Sequence, residues 1–393
     1  MGAREHYSIP RSLHAANELA LLVTDAWADG LLPWKLGPRS RARERFHPDI
    51  PRSHVASFDW SLLRFETLAR RRASGWSLIV QRNEWFQQRA LGALQQLHRD
   101  NPDRHYTLFS YSYAARTLFE FAKEAGWSTV LGQMDPGPFE EAIVTRLNNA
   151  DGSTANAVAA PAGYWDSWRQ ECRLADRIVV NSPWAWRGLC SDGVPSAKLR
   201  LVPLAYDPPS EARQFVRTFP SAFTAERPLR ILFLGQVNLR KGVAEIIGAL
   251  PKLQGLPVEF WMVGPVQLTV SDEQRAHPQM KWFGAVPRGS AANYYRDADI
   301  FLFPTFSDGF GLTQLEAQAC KLPIIASEHC GSVVEHLRNG YILPEVTPAA
   351  VAEAVRWVLA NPGMLAEFAM HSRSDEFTHS RLIASLSALK AEF

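Results

Sequence analysis

Cysteine is scarce in this chain. There are four in 393 residues, Cys172, Cys190, Cys320 and Cys330, with no CxxC pair and no histidine neighbour at zinc spacing. A disulfide framework and a clustered zinc site are both disfavoured, and scattered reduced thiols in the cytosol are the better reading. An excess of one charge sign is also lacking. The formal net charge is +2 and the isoelectric point near 8.3, too mild to indicate nucleic acid as the partner. No stretch approaches transmembrane length without a charge, and the opening Met-Gly-Ala-Arg-Glu-His does not form a signal peptide. No internal repeat and no low-complexity tract stands out. No GxGxxG follows an expected strand and no ribose-binding acid follows at the required spacing, which speaks against a Rossmann dehydrogenase.

What is present is a globular balance, with 46% hydrophobic and 21% charged residues in a chain too long for one ordinary core. Two domains are therefore expected. Tryptophan is frequent, and Trp27, Trp34, Trp60, Trp76, Trp85 and Trp127 fall in the first third. Core and interface anchoring is the default reading for each; stacking on the apolar face of a sugar is the sharper one.

Short apolar runs alternate with helical patterns, as in a parallel sheet with crossover helices. Strands are expected at Ser77–Gln81, Tyr106–Ser110, Thr129–Gln133, Arg177–Asn181 and Leu199–Pro203, with helices at Trp85–His98 and Ala114–Ala125. The pattern fails between Leu204 and Pro228, where Asp207-Pro-Pro-Ser-Glu marks a boundary. A second series follows: strands at Leu229–Leu234, Val258–Val263, Met280–Phe283, Ile300–Phe303 and Pro323–Ser327. Helices are expected at Gly242–Leu250, Ala291–Asp297, Leu312–Cys320 and Pro348–Leu359, and again after Ser380. The expected organisation is residues 1–207, residues 208–375, and a C-terminal helix in 376–393 packing back on the first domain. The ligand belongs outside the carboxyl ends of the second domain's strands, in the cleft.

The region from Trp34 to Arg72 is basic, with Lys35, Arg39, Arg41, Arg43, Arg45, Arg52, Arg64, Arg70, Arg71 and Arg72 against four acids. A solvated face is the default. Peripheral attachment of residues 35–72 to an anionic membrane surface, or to an acceptor carrying phosphate, is the alternative.

Two constellations carry chemistry. In Leu232-Phe-Leu-Gly235-Gln-Val-Asn-Leu-Arg240-Lys241-Gly242, a strand ends at a glycine and two cations precede a helix. The helix dipole disfavours cations there unless an anion lies between. The segment does not match the Walker A loop. In Asp308-Gly-Phe-Gly-Leu-Thr-Gln-Leu-Glu316, a buried strand ends in an acid and a two-glycine turn, and a helix carries a second acid. Backbone N–H groups are thereby offered to a diphosphate, with a carboxylate at each end for sugar hydroxyls. Glu316 in a first helical turn also reads as a dipole complement.

From about Leu229 to Leu343 the chain resembles the donor-binding domain of retaining, GT-B-fold glycosyltransferases of family four. The resemblance rests on Gly235…Arg240-Lys241-Gly242, Val263-Gly264-Pro265, Phe283-Gly284-Ala285-Val286-Pro287, Ala298-Asp299-Ile-Phe-Leu-Phe-Pro304, Asp308 through Glu316, Leu322–Ser327 and Gly331–Glu335. In the first half the resemblance is weaker and best over Ala175–Ser182 and Leu201–Asp207. It implies an α/β chain of two Rossmann-like, doubly wound domains facing across a cleft. By resemblance, Asp308 and Glu316 match the Glu-x7-Glu motif, the first acid toward the donor sugar and the second toward the ribose. Gly309, Phe310, Gly311 and Leu312 would supply main-chain N–H groups, with Thr313, Gly235 and Gln236 in the same nucleotide-binding set. Lys241 matches the lysine that neutralises the leaving diphosphate, with Arg240 beside it, and Ala285 and Val286 are candidates for holding the nucleobase.

The chain departs from the family pattern in three places. Asp308 is shorter than glutamate by one methylene. Gln236 stands where the family has arginine, a charge that Arg240 would have to supply. The family's first strand and glycine-rich loop are not found: Ile9–Leu13 reads as the first helix and Leu19–Val23 as the next strand, so either the sequence starts late or this branch has lost them. The histidine that the family often places near the sugar has no counterpart in Val130–Gly137, where Gln133 and Asp135 are cleft candidates with a turn role equally open for Asp135. Ser110-Tyr-Ser-Tyr113 ends a strand and could face the acceptor.

The expected reaction is glycosyl transfer with retention from a nucleotide-activated sugar to an acceptor hydroxyl. No metal and no cofactor beyond the donor is expected, and UDP, GDP and ADP all stay open as the nucleotide. Sugar or lipid-linked acceptors, and a cytoplasmic site peripheral to the inner membrane face, complete the expectation. The rival reading is a noncatalytic nucleotide-sugar sensor that kept the fold.

Overall fold

The computed structural model describes residues 4–29, 45–151 and 159–393. Lys35, Arg39, Arg41 and Arg43, four of the ten basic residues of that run, lie outside the described residues, as does Trp34.

Among the described residues, twelve strands form three parallel sheets. A two-stranded sheet pairs β1 (Leu22–Thr24) with β2 (Val55–Ser57). A four-stranded sheet runs in the order β3 (Thr107–Tyr111), β4 (Ser128–Gln133), β5 (Arg177–Val180), β6 (Leu199–Leu201). The third sheet contains β7 (Leu229–Leu234), β8 (Val258–Val263), β9 (Met280–Gly284), β10 (Ile300–Phe303), β11 (Ile324–Ala326) and β12 (Gly340–Ile342), in the order β12-β11-β10-β7-β8-β9. Helices cover both faces of this sheet, so its central strands are apolar on both sides. All four residues of β10 are buried, as are Ile231, Leu232 and Phe233 of β7.

Strand order reverses between β7 and β10, which are direct neighbours with Ile300 opposite Ile231 and Phe301 opposite Leu232. Crossovers therefore leave to opposite sides, and a crevice opens at the two carboxyl ends. The loops that follow, 235–242 and 304–311, meet there. Gly242 has a φ of +72°, and a Cβ on it would fall 1.9 Å from the Pro304 carbonyl oxygen, so only glycine permits this approach.

The expected strand at Ser77–Gln81 is instead part of a 26-residue helix, Gly75–Asp100. Its buried positions Asn83, Phe86, Gln87, Ala90 and Leu94 keep helical spacing. The short apolar run at its start continues that period and leaves Ile79 exposed. The C-terminal helix His379–Lys390 lies against the helix Ser8–Ala15 and the four-stranded sheet. There Leu382, Leu386 and Leu389 share one apolar cluster with Ile9, Val130, Val179 and Val202. Glu392 adds ion pairs to Arg177 and Arg200. No helix among the described residues is long and apolar enough to cross a membrane.

Candidate functional site

The site is built where β7 and β10 end. After β7 a short 3-10 turn, Leu239–Lys241, is closed at its start by the Asn238 side chain, which accepts from the Lys241 N–H. The turn leads into the helix Val243–Ala249. After β10, Thr305 and Ser307 are fully buried, and the Phe306 N–H donates to the Arg240 carbonyl at 2.8 Å. The Thr305 hydroxyl also donates to the Arg240 carbonyl, at 3.2 Å. These bonds lock the two loops to each other.

Lys241 and Asp308, 67 residues apart, are joined by an ion pair. The lysine side chain is only 11% exposed, and its ammonium lies over the Phe303 ring. Burial, and next Arg240, push the Lys241 ammonium down to about 7, while Glu140 pulls it back up. The Asp308 carboxylate is paired with this ammonium. Asp308 also accepts from the Phe310 N–H and is held by its own N–H on the His329 carbonyl.

Gly309, Phe310 and Gly311 lead directly into the helix Leu312–Ala319, whose N-cap is Gly311 and whose start carries Leu312 and Thr313. Glu316 is the fifth residue of this helix, one turn deeper than the first-turn position expected from the sequence. It accepts from the hydroxyl of the buried Tyr295, which orients the carboxylate. Asp308 and Glu316 thus stand on either side of the helix start, one on a cation and one on a phenol.

On the other flank, Gly235 follows β7 and Gln236 is exposed. Ala285 and Val286 follow the edge strand β9; the former is exposed and the latter half-buried. The Gly235 N–H donates to Val263, and the Gly264 N–H to Gly284, so the carboxyl ends of β7, β8 and β9 form one continuous rim. This rim carries Gly235, Ala285 and Val286 at one side of the crevice and Asp308–Leu312 at the other.

The first domain presses directly on this site. A Cβ on Gly309 would lie 1.7 Å from the Met134 carbonyl oxygen, at the end of β4. Asn181 donates to that same carbonyl. The Trp184 indole N–H donates to the Ser307 hydroxyl at 2.9 Å, and its ring meets the His329 ring at 4.4 Å. Glu140, in the first turn of the helix Pro138–Ala150, accepts from the Ser307 hydroxyl at 2.6 Å and from Arg240 at 3.4 Å.

Asp135 and Gln133 serve a buried network in the first domain. Asp135 accepts from the Gly137 N–H, the Asx-turn pattern of Asp-Pro-Gly, and also from Tyr113 and Gln133. Gln133 in turn accepts from the Trp168 indole. Glu171 closes the network's far side by accepting three backbone N–H groups at Tyr113, Ala115 and Arg116, and burial raises its carboxyl to about 7. Sequence reasoning missed Glu140, Ser307, Trp184 and Asn181. Their roles depend on which segments of the two domains meet, and no local pattern carries that.

Comparison with known proteins places this architecture. Residues 228–361 match the family described as glycosyl transferases group 1. The D-inositol 3-phosphate glycosyltransferase of Kineococcus radiotolerans is 26% identical over 293 residues, covering 66% of this chain and 65% of that protein. The protein of the same name from Xylanimonas cellulosilytica is 29% identical over 286 residues, 66% of each. The chain thus spans just under two thirds of the length of these curated relatives. Among solved structures, HepE from Anabaena with UDP and glucose bound superposes with a TM-score of 0.61 at 14% identity, covering all of this chain and 96% of that one. Sucrose-phosphate synthase from Thermosynechococcus elongatus gives 0.59 at 18% identity over 78% of each chain. The fold is GT-B, two Rossmann-like domains across a cleft. The family match lies within the second domain.

Proposed function

We propose that the chain is a retaining glycosyltransferase that moves a sugar from a nucleoside diphosphate sugar to an acceptor hydroxyl, in the synthesis of a cell-surface polysaccharide or glycolipid. The observation that carries this reading is the convergence of Lys241, Arg240 and Asp308 on the glycine turn before Leu312, at the carboxyl ends of β7 and β10. Such a place suits a diphosphate: N–H groups and a helix start on one side, cations on the other. HepE, a structural neighbour, has been solved with UDP-glucose bound, which supports a nucleotide sugar as the donor class.

Departure of a diphosphate needs charge stabilisation more than a strong nucleophile. In the proposed reaction the anion draws Lys241 away from Asp308, and Asp308 is released to the hydroxyls of the donor sugar. The acceptor proton passes to the leaving phosphate oxygen on the same face, so no side-chain base is required. Glu316, steadied by Tyr295, takes the ribose, and Ala285 and Val286 border the base. No cofactor beyond the donor is proposed.

The test is incubation with UDP-, GDP- and ADP-sugars while nucleotide release is followed. Hydrolysis or transfer that disappears in Glu316→Ala supports the enzyme. Tight nucleotide binding without turnover on any acceptor would make the protein a sensor instead.

The proposed setting is the cytoplasmic face of a membrane. On the helix Asp59–Ala69, Trp60, Leu63, Arg64 and Leu68 are exposed at i, i+3, i+4 and i+8, with Arg71 and Arg72 exposed in the turn that follows. Trp60 is 64% exposed, unusual for a tryptophan, while Leu62 and Phe65 face inward. An apolar stripe flanked by arginines fits an anionic bilayer surface. Sedimentation with phosphatidylglycerol vesicles is expected to fall about tenfold in Trp60→Ser/Leu63→Ser, and to be lost with neutral vesicles. Equal binding by the wild type and the double variant would remove the membrane contact from the proposal.

A further inference from the structure

We infer that Glu140 is a positioning residue of the leaving-group site, supplied by the first domain, which holds Arg240 so that its unused N–H groups face the diphosphate. The inference rests on the glycosyl-transfer reading above.

Glu140 comes from the opposite domain to Arg240, Lys241 and Asp308. It sits in the first turn of Pro138–Ala150, behind Gly137 and Pro138, on a helix that packs against the turn Leu239–Lys241. Its Oε2 accepts from Ser307 and from the Arg240 NH1, and NH1 also donates to the Ser307 carbonyl at 2.7 Å. A single guanidinium nitrogen is thus shared between the two domains. A guanidinium has five donors, and among the described residues no hydrogen bond takes up Nε or NH2 of Arg240. The rigid fork means that fixing NH1 also fixes where the others point.

The surrounding charges explain why the acid is tolerated. Burial pushes the Glu140 carboxyl up, and Asp135 acts in the same direction, while Arg240, Ser307 and Lys241 oppose them. Arg240 and Lys241 are balanced by Glu140 and Asp308, so the four charges cancel. The two pairs differ in what an incoming diphosphate does to them. Lys241 must leave Asp308 to meet the anion, whereas Arg240 can meet it with Nε and NH2 while NH1 stays on Glu140. Glu140 therefore ties the cation to the closed arrangement of the two domains: if they separate, Arg240 loses its aim.

The experiment compares wild type, Glu140→Gln and Glu140→Asp in two measurements. With the donor that the wild type turns over, Glu140→Gln is expected to lower kcat about tenfold to a hundredfold, the range for one hydrogen bond to a charged group. The donor KM should change less than about threefold, and Glu140→Asp should recover part of kcat. An unchanged kcat in Glu140→Gln overturns the inference. So does a loss confined to KM, because an aimed cation acts on charge that develops in the transition state. The second measurement needs no donor. Amide exchange at Phe306, whose N–H is bonded to the Arg240 carbonyl, should quicken about tenfold in Glu140→Gln, and unchanged protection also overturns the inference. If the wild type handles no nucleotide sugar but Phe306 loses protection as expected, the glycosyl-transfer reading fails and the clamp survives as an interdomain contact.

Discussion

Lys241→Ala is expected to abolish measurable sugar transfer, with kcat at least about a hundredfold lower, the scale for removing one preorganised charge stabiliser from a reacting centre. The lysine is the most deeply buried cation at the crevice, and it lies on Asp308 in a part of the site where water is largely excluded. Loss of stability is the competing explanation, because alanine leaves the Asp308 carboxylate without its partner. Lys241→Met keeps most of the volume over Phe303, and the double variant Lys241→Met/Asp308→Asn removes both charges together. Both should fold, as judged by thermal unfolding, and both should remain inactive. Lys241→Arg is not expected to rescue, since a planar fork does not fit where a compact ammonium is enclosed. Wild-type activity in any of these variants would remove Lys241 from the mechanism.

A pH profile gives the same residue a second test. Burial and Arg240 lower the Lys241 ammonium to about 7, so in the free protein its proton is lost as pH rises through that region. The ratio kcat/KM reports the free protein and should fall on the alkaline side from near pH 7. In the donor complex the diphosphate holds the proton, so kcat should persist to higher pH. Coincident alkaline limbs for the two parameters would contradict this account.

Gly309→Ala is expected to cost at least about tenfold in activity and about 1–3 kcal/mol in stability, the usual range for overpacking. The added methyl would sit 1.7 Å from the Met134 carbonyl oxygen, which is backbone and cannot rotate aside. Relief requires either β4 or the turn 308–311 to move, and the turn carries the N–H groups proposed for the diphosphate. Nucleotide affinity, measured calorimetrically, should weaken together with activity. Gly289→Ala, where a Cβ meets nothing within 4 Å, is the control and should be neutral. Normal nucleotide affinity in Gly309→Ala would mean that the seam yields without disturbing the turn.

Much of the second domain is legible from local pattern. Leu229–Leu234 and Ile300–Phe303 are short apolar runs buried on both faces, and parallel strands covered by helices read that way. The run at Ser77–Gln81 failed the same test, because three consecutive apolar residues near the start of a long amphipathic helix look like a strand until the helical period beyond them is counted. Asp135 was ambiguous for a related reason: an Asp-Pro-Gly turn and a cleft carboxylate share one local spelling, and the bond to the Gly137 N–H identifies the turn. Glu316 was read as a first-turn acid, yet it is the fifth residue of the helix Leu312–Ala319 and lies past its first turn.

Residue types and chain order were enough to name an alternating α/β fold, the two glycine-bearing loops and the chemistry of a cation pair and two acids. Those properties are local: each depends on a period of 2 or 3.6 residues, or on a turn that only glycine can make. Which charges meet is not local. Lys241 reaches Asp308 across 67 residues because β7 and β10 are neighbours at the point where strand order reverses. Glu140 reaches Ser307 across 167 residues because two domains close on each other. Read in its own helix, Glu140 is an ordinary first-turn acid beside a dipole. Only the packing of the other domain against it turns that carboxylate toward Arg240.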